Sequence, residues 1–170
     1  MKPPIRALVL IDAFRMGGAE TLLAPMIVAS RGTDVEMDVM SVSPADLNSE
    51  KTMTILAEAG IATRSLGIRR LLDPVALPRL TGVIRRGGYD VVHAHLEMAM
   101  TLAVPAAALA RRPAVCTFHH VARPLDGRAA WRERSRQPFV FCAFAVHQSR
   151  GLGRRDYVAS QHDVVVLVGD

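Results

Sequence analysis

The 170 residues are half apolar and 5% aromatic, with 21 Lys and Arg against 16 Asp and Glu and a net charge of +5. That length suits one well-buried domain over 1–170, and no apolar run approaches the ~20 residues of a membrane-spanning helix. The cations are nearly all arginines, which pair best with planar or phosphate groups, so anionic ligands, lipid headgroups and nucleic acid all stay open.

The segment from Met1 places Arg6 before a short apolar run ending at Asp12, unlike the uninterrupted core of a secretory signal, and a cytoplasmic protein is expected. Ala7 to Ile11 reads as a first strand that gives way at Gly17-Gly18 to a helix carrying Glu20 and Thr21. Glycine permits positive φ and close approach, and the free N–H groups of the helix start can face an anion; the pair also serves as a plain tight connection. Further strands are expected over Val35 to Val42, Ala62 to Leu66, Val91 to His95, Ala114 to Phe118, Phe144 to Gln148 and Val164 to Val168. About seven strands alternating with helices predict an α/β fold, a mostly parallel sheet covered on both faces.

Pro25 and Pro105 predict kinks in their helices. Asp73-Pro74 reads as an N-cap with a first-position proline, Leu77, Leu80 and Ile84 as the buried stripe, and Gly87-Gly88 as the stop. Arg79 and Arg86 share one face of that helix, as a solvated stripe or a contact for an anionic surface. The helix from Met98 to Leu109 has almost no polar face, so cover on more than one side is expected. Cys116 and Cys142 have no partners at metal-ligand spacing and read as buried thiols.

In an open parallel sheet the carboxyl ends of the strands build the ligand crevice. Three strand exits carry suggestive residues: the Gly17-Gly18 turn, the Val91 to His95 strand, and the Cys116 to His120 segment. His93 and His95 lie two apart and point to one side, while His119 and His120 follow the next strand. Histidine there suits proton transfer or phosphate binding, but His93 also fits a core residue satisfied by a carbonyl, and His119 with His120 a surface pair. A zinc site from His93, His95, His119 and His120 has no Cys or acidic ligand at helpful spacing, and no metal is expected. Between Arg123 and Arg136, helical spacing would put Arg128, Arg132 and Arg136 on one stripe around Trp131. With no nucleic-acid recognition motif beside it, that stripe reads as a solvated face or an anionic headgroup contact, and nucleic acid is not an expected partner.

The strand running into Gly17-Gly-Ala-Glu-Thr21, the Asp90-Val-Val-His-Ala-His-Leu96 strand and the strand ending Thr117-Phe-His-His120 together resemble the N-terminal half of the retaining glycosyltransferases of family 4, the "group 1" family. The resemblance covers essentially the whole chain. It implies a Rossmann-like domain, one half of a GT-B enzyme in which this side holds the acceptor and a C-terminal domain grips the nucleotide sugar. By that resemblance Gly17 and Gly18 match the glycine loop at the donor diphosphate or acceptor. His119 matches the active-site histidine, and His95, Glu97 and His120 flank the acceptor. The implied reaction transfers a sugar with retention from a nucleotide-diphosphate donor to a sugar, lipid or envelope-precursor acceptor, with no bound metal or cofactor, at the inner face of the cytoplasmic membrane.

Two departures qualify it. The acidic E-x-x-x-x-x-x-x-E signature of the family's C-terminal domain has no counterpart in these residues, so the C-terminal domain is an expected partner and the chain alone is expected to be inactive. The stretch Asp163 to Asp170 resembles the interdomain strand, with Val168 where Asn is common. A stand-alone Rossmann-like module that binds a phosphate or nucleotide ligand for regulation, without catalysis, is the alternative.

Overall fold

Two alternating apolar patterns along the central strands decide which helices lie on which face. The computed structural model describes residues 3–117 and the strand Val164–Leu167, the latter as backbone. In chain order these form β1 (Ile5–Ile11), α1 (Gly18–Ser30), β2 (Val35–Ser41), a short 3-10 turn (Ala45–Leu47), α2 (Glu50–Glu58), β3 (Thr63–Ser65), α3 (Ala76–Gly87), β4 (Val91–His95), α4 (Glu97–Ala110), β5 (Ala114–Thr117) and β6 (Val164–Leu167).

The described strands make a six-stranded sheet in the order β3-β2-β1-β4-β5-β6, against the seven or so expected. The first five are parallel, and β6 closes the edge antiparallel to β5, with Thr117 opposite Val164. The expected strand from Phe144 to Gln148 lies outside the described residues. The order reverses between β1 and β4, which makes their carboxyl ends the topological switch point of a Rossmann-like sheet.

Val9 and Ile11 point to the face of α1 and α2, where Leu23, Ile27 and Leu56 are buried with them. Leu8 and Leu10, with Val92 and Ala94 of β4, point the other way against Leu80 and Ile84 of α3 and Ala103 of α4. Fully burying Leu80 or Ile84 contributes about 1.5–3 kcal/mol each, which fixes α3 on the sheet. α4 is covered by β4, β1 and β5 beneath and α3 beside it, which explains its lack of a polar face. Both α1 and α4 continue through their internal prolines, Pro25 and Pro105.

Two expectations about local structure change. α3 begins at Ala76 rather than after Asp73, because the Asp73 carboxylate accepts the Val75 N–H at 3.0 Å and closes a separate turn first. Its end is as read: Gly88 takes the left-handed conformation at φ 63° and Gly87 makes room for the buried ring of Tyr89. The Gly17-Gly18 turn needs no positive φ: Gly17 is extended at φ −161° and Gly18 is the first helical residue.

Candidate functional site

Each parallel strand delivers its last residue to one edge, and register decides what meets there. Ile11 of β1 lies level with His95 of β4, and His95 level with Thr117 of β5. One residue further along, Asp12 leaves β1 at the switch point and turns its carboxylate onto the start of α4, accepting the Ala99 N–H at 2.6 Å and also bonding Met98 N–H. An aspartate from a distant strand thus fills the cap position that Leu96, the local N-cap residue, leaves empty.

Asp12 is an acid under tension. Burial is the largest cause lifting its carboxyl above the ordinary 3.8; the Ala99 and Met98 amides pull the other way, and the Glu97 and Glu20 carboxylates nearby add to the rise. Glu97, the first residue of α4, is exposed, whereas Glu20 in the first turn of α1 is only 9% exposed. Its carboxylate folds back over Gly17, where a Cβ would come within 2.4 Å of Oε2. Among the described residues nothing lies within 4 Å of where a Gly18 Cβ would stand, and no side chain caps α1. Among those residues the start of α1 therefore keeps its helix-end amides open at the crevice, beside a carboxylate.

The histidines of β4 lie on the face that carries α1, opposite Val92 and Ala94. Their rings are 4.2 Å apart and tilted by 44°. His95 is buried, and half-buried His93 pairs Nε2 with the Thr117 hydroxyl at 2.8 Å, the donor following the imidazole tautomer. Beyond them Leu96 sits at φ 71°, ψ 167°, a region other residues rarely adopt and which costs about 1–3 kcal/mol. That bend swings the chain from the strand into α4 within one residue and puts Glu97 beside Asp12.

Of the residues singled out from sequence, Gly17, Gly18, His95 and Glu97 thus lie at one carboxyl edge, with Asp12 between β1 and the start of α4. His119, His120, Arg128, Arg132, Trp131 and Cys142 lie outside the described residues. Arg79 and Arg86 are both exposed on α3 and about 10 Å apart along its axis. Arg79 stands near Gly67 after β3, while Arg86 lies two residues before Gly88, at the opposite edge of the sheet. Sequence reasoning missed Asp12 as a site residue; its only local signal is an acid directly after an apolar strand and before a glycine pair. Cys116 is a buried thiol whose pKa burial pushes up to about 11, so it is inert packing. Among the described residues no helix is long and apolar enough to cross a membrane, and no three His, Cys, Asp or Glu side chains are grouped to hold a metal.

No curated protein matches the chain significantly. Among solved structures, it is similar to a glycinamide ribonucleotide transformylase from Symbiobacterium toebii at 16% identity and a TM-score of 0.47, over 79% of this chain and 60% of that one. It is also similar to a formyltetrahydrofolate deformylase from Burkholderia mallei at 15% identity and a TM-score of 0.44, over 79% and 45%. A deacetylase of teicoplanin biosynthesis, solved with teicoplanin, is similar at 10% identity and a TM-score of 0.38, over 87% and 93%. The chain spans 60% or less of the length of the first two. The sequence model of "Glycosyltransferase Family 4" matches residues 16–152, from the loop before Gly17-Gly18 through the β4 histidines and past β5. With that match over most of its length, and with the Gly17-Gly18 turn and the β4 exit at the switch point of a Rossmann-like sheet, the chain belongs to glycosyltransferase family 4.

Proposed function

We propose that this domain is the acceptor-side half of a retaining glycosyltransferase, which transfers a sugar from a nucleotide-diphosphate donor to a sugar, lipid or envelope-precursor hydroxyl. The observation that carries the reading is Asp12 at the switch point, which caps the start of α4 from the exit of β1, at the same sheet edge as the start of α1, in a family 4 chain. Carboxylates at Asp12, Glu20 and Glu97 accept hydrogen bonds from hydroxyls, and the α1 amides donate them, so a polyol is matched on both counts. In this reading Gly17 and Gly18 let the acceptor or the donor phosphate approach the backbone, and His95 and Glu97 flank the acceptor. By the family resemblance His119 is the catalytic histidine beside the transferred sugar, and His120 binds the acceptor. The donor's nucleotide is held by a second domain, the domain alone does not turn over, and neither metal nor resident cofactor takes part. Its work is positioning and electrostatics at the inner face of the cytoplasmic membrane.

The open amides of α1 also favour a second reading, a regulatory module that binds a phosphate or nucleotide without catalysis. Titrating the isotope-labelled chain with glucose and with UDP, followed by amide chemical shifts, separates the two. The acceptor reading expects glucose to move the amides of Gly18, Ala19 and Glu97, whether or not UDP moves Gly18 as well. UDP acting there alone selects the regulatory module, and silence from both probes removes the site.

A further inference from the structure

The loop after β1, from Asp12 to Gly17, belongs to no helix or strand, so its backbone groups find partners elsewhere. The stretch between β2 and the first turns of α2 supplies them. Ser43 N–H donates to Asp12 O at 2.8 Å, Ser49 N–H to Phe14 O at 2.7 Å, and the Thr52 hydroxyl to Arg15 O at 3.0 Å. The Phe14 N–H goes to a side chain: Asn48 Oδ1 accepts it at 3.0 Å across 34 positions of sequence.

An asparagine brings donors as well as an acceptor, and Asn48 uses both. Its Nδ2 donates to Oγ of Ser65, the last residue of β3, at 3.3 Å. Ser65 Oγ lies 2.8 Å from Oγ of Ser41, the last residue of β2, and Ser41 Oγ donates to Ser43 O at 3.1 Å. A carbonyl only accepts, so the single Ser41 proton is committed there; the Ser65 hydroxyl therefore donates to Ser41 and accepts from Asn48. The bonds run one way, from Asn48 through Ser65 and Ser41 to Ser43, which returns to the first loop through its N–H on Asp12. Ser41 and Ser43 are buried, where chained hydrogen bonds strengthen one another. The direction also fixes the Asn48 amide, since turning it over would set Nδ2 against the Phe14 N–H, donor against donor.

We infer that Asn48 is a positioning residue of the crevice, whose amide sets the loop after β1 in the shape that presents Gly17 and Gly18 to a ligand. Phe14 is fully buried with side chains of α1 and α2, so the loop is held by its ring below and by its amide beside. The turn that follows, closed by Arg15 N–H on Ala13 O at 2.9 Å, leads straight to the glycine pair. Asn48 acts through the Phe14 backbone and not on the ligand. The inference deepens the proposed function by naming what shapes one wall of its site, and rests on that reading only for what the loop binds.

The test is amide NMR on the isotope-labelled native chain, Asn48→Ala, Asn48→Asp and Thr81→Ala, first without ligand and then titrated with glucose. In Asn48→Ala the Phe14 amide should exchange with solvent about fivefold faster, and the Gly17 and Gly18 resonances should move before glucose is added. The dissociation constant for glucose should rise about fivefold. Asn48→Asp keeps the oxygen for Phe14 and loses the donor for Ser65, so its Phe14 amide should exchange more slowly than in the alanine variant. Thr81, buried on α3 and bonded to Leu77 O at 2.8 Å, is the matched control: Thr81→Ala loosens the other face of the sheet and should leave Phe14 exchange and glucose binding native. Native Phe14 exchange in Asn48→Ala, equal exchange in the two Asn48 variants, or the same changes in Thr81→Ala overturns the inference. So does a loop that moves while glucose affinity stays native. If the native chain itself ignores glucose while Asn48→Ala shifts the loop, the acceptor reading falls and the positioning of the loop stands.

Discussion

Asp12 at the exit of β1 caps α4 through the Ala99 amide at 2.6 Å, across 87 positions of sequence. That hydrogen-bonded carboxylate ties the exit of β1 to the start of α4, and its removal is the most direct probe of this wall of the crevice. Asp12→Ala should cost about 1–2 kcal/mol in urea unfolding, as for loss of a helix cap. Asp12→Asn keeps an oxygen for the amide and removes the charge that burial penalises, so it should lose less than the alanine variant.

The pH dependence follows from the direction of the Asp12 shift. A carboxyl raised above 3.8 in the fold binds its proton more tightly folded than unfolded, so ionising it lowers stability. Its contribution is most favourable at or below that ordinary value and declines as pH rises through the folded value. In unfolding measured across that window, stability of the native chain minus that of Asp12→Asn should fall as pH rises. A flat difference would mean that Asp12 is not shifted.

Leu96 gives an inverted glycine test. In ordinary strand or helix positions glycine is about 0.5–1 kcal/mol less stable than alanine. At φ 71°, ψ 167° the order should reverse, because alanine keeps the strain and glycine relieves it. Leu96→Gly should therefore exceed Leu96→Ala by about 1 kcal/mol in urea unfolding, although both lose the packing of the leucine against the α1 face. The opposite order would place the strain elsewhere.

At the far end of α3 the stop is fixed by the contact of Gly87 with Tyr89. A Cβ on Gly87 would stand 2.1 Å from the ring of Tyr89, which is 1% exposed and donates its hydroxyl to Asp38 Oδ2 at 2.5 Å. The ring cannot move without breaking that bond, so Gly87→Ala should cost about 2–3 kcal/mol by overpacking. Gly88→Ala meets only the left-handed penalty of about 1 kcal/mol. Thermal melts of the two variants should rank them in that order.

What could be read from sequence was what local pattern controls. The Val91 to His95 strand and the Gly88 stop follow from apolar alternation and a glycine pair, and the structure has them within a residue. Asp12 was not legible as a site residue because its partner lies on another strand–helix unit, and no spacing rule links positions 12 and 99. The bend at Leu96 was not legible because nothing in a leucine announces positive φ; the surrounding sheet and α4 impose it. Asp73 looked like a helix cap and instead closes the turn before the helix, a choice between two uses of one carboxylate that tertiary anchoring decides. The shared face of Arg79 and Arg86 was read correctly from their spacing, but α3 runs antiparallel to the strands, which carries Arg86 to the edge opposite the crevice.

Gly18 separates a structural glycine from a functional one. It is the first residue of α1, its φ is not positive, and a Cβ there would meet nothing within 4 Å. Alanine in that place should stabilise the chain by about 0.5–1 kcal/mol through the unfolded state, and a higher melting temperature should follow. The open space is the crevice itself, however, so the added methyl stands where a ligand would approach the α1 amides. Gly18→Ala is thus expected to melt higher and to lose the glucose-induced amide shifts together. Gly17→Ala acts differently: its methyl would meet only the far end of the Glu20 side chain and displace that carboxylate, so it should weaken the glucose response without raising the melting temperature. Should Gly18→Ala melt higher and keep full response to glucose, close approach at that turn would not be what the site requires, and the ligand would have to be held by Asp12, His95 and Glu97 instead.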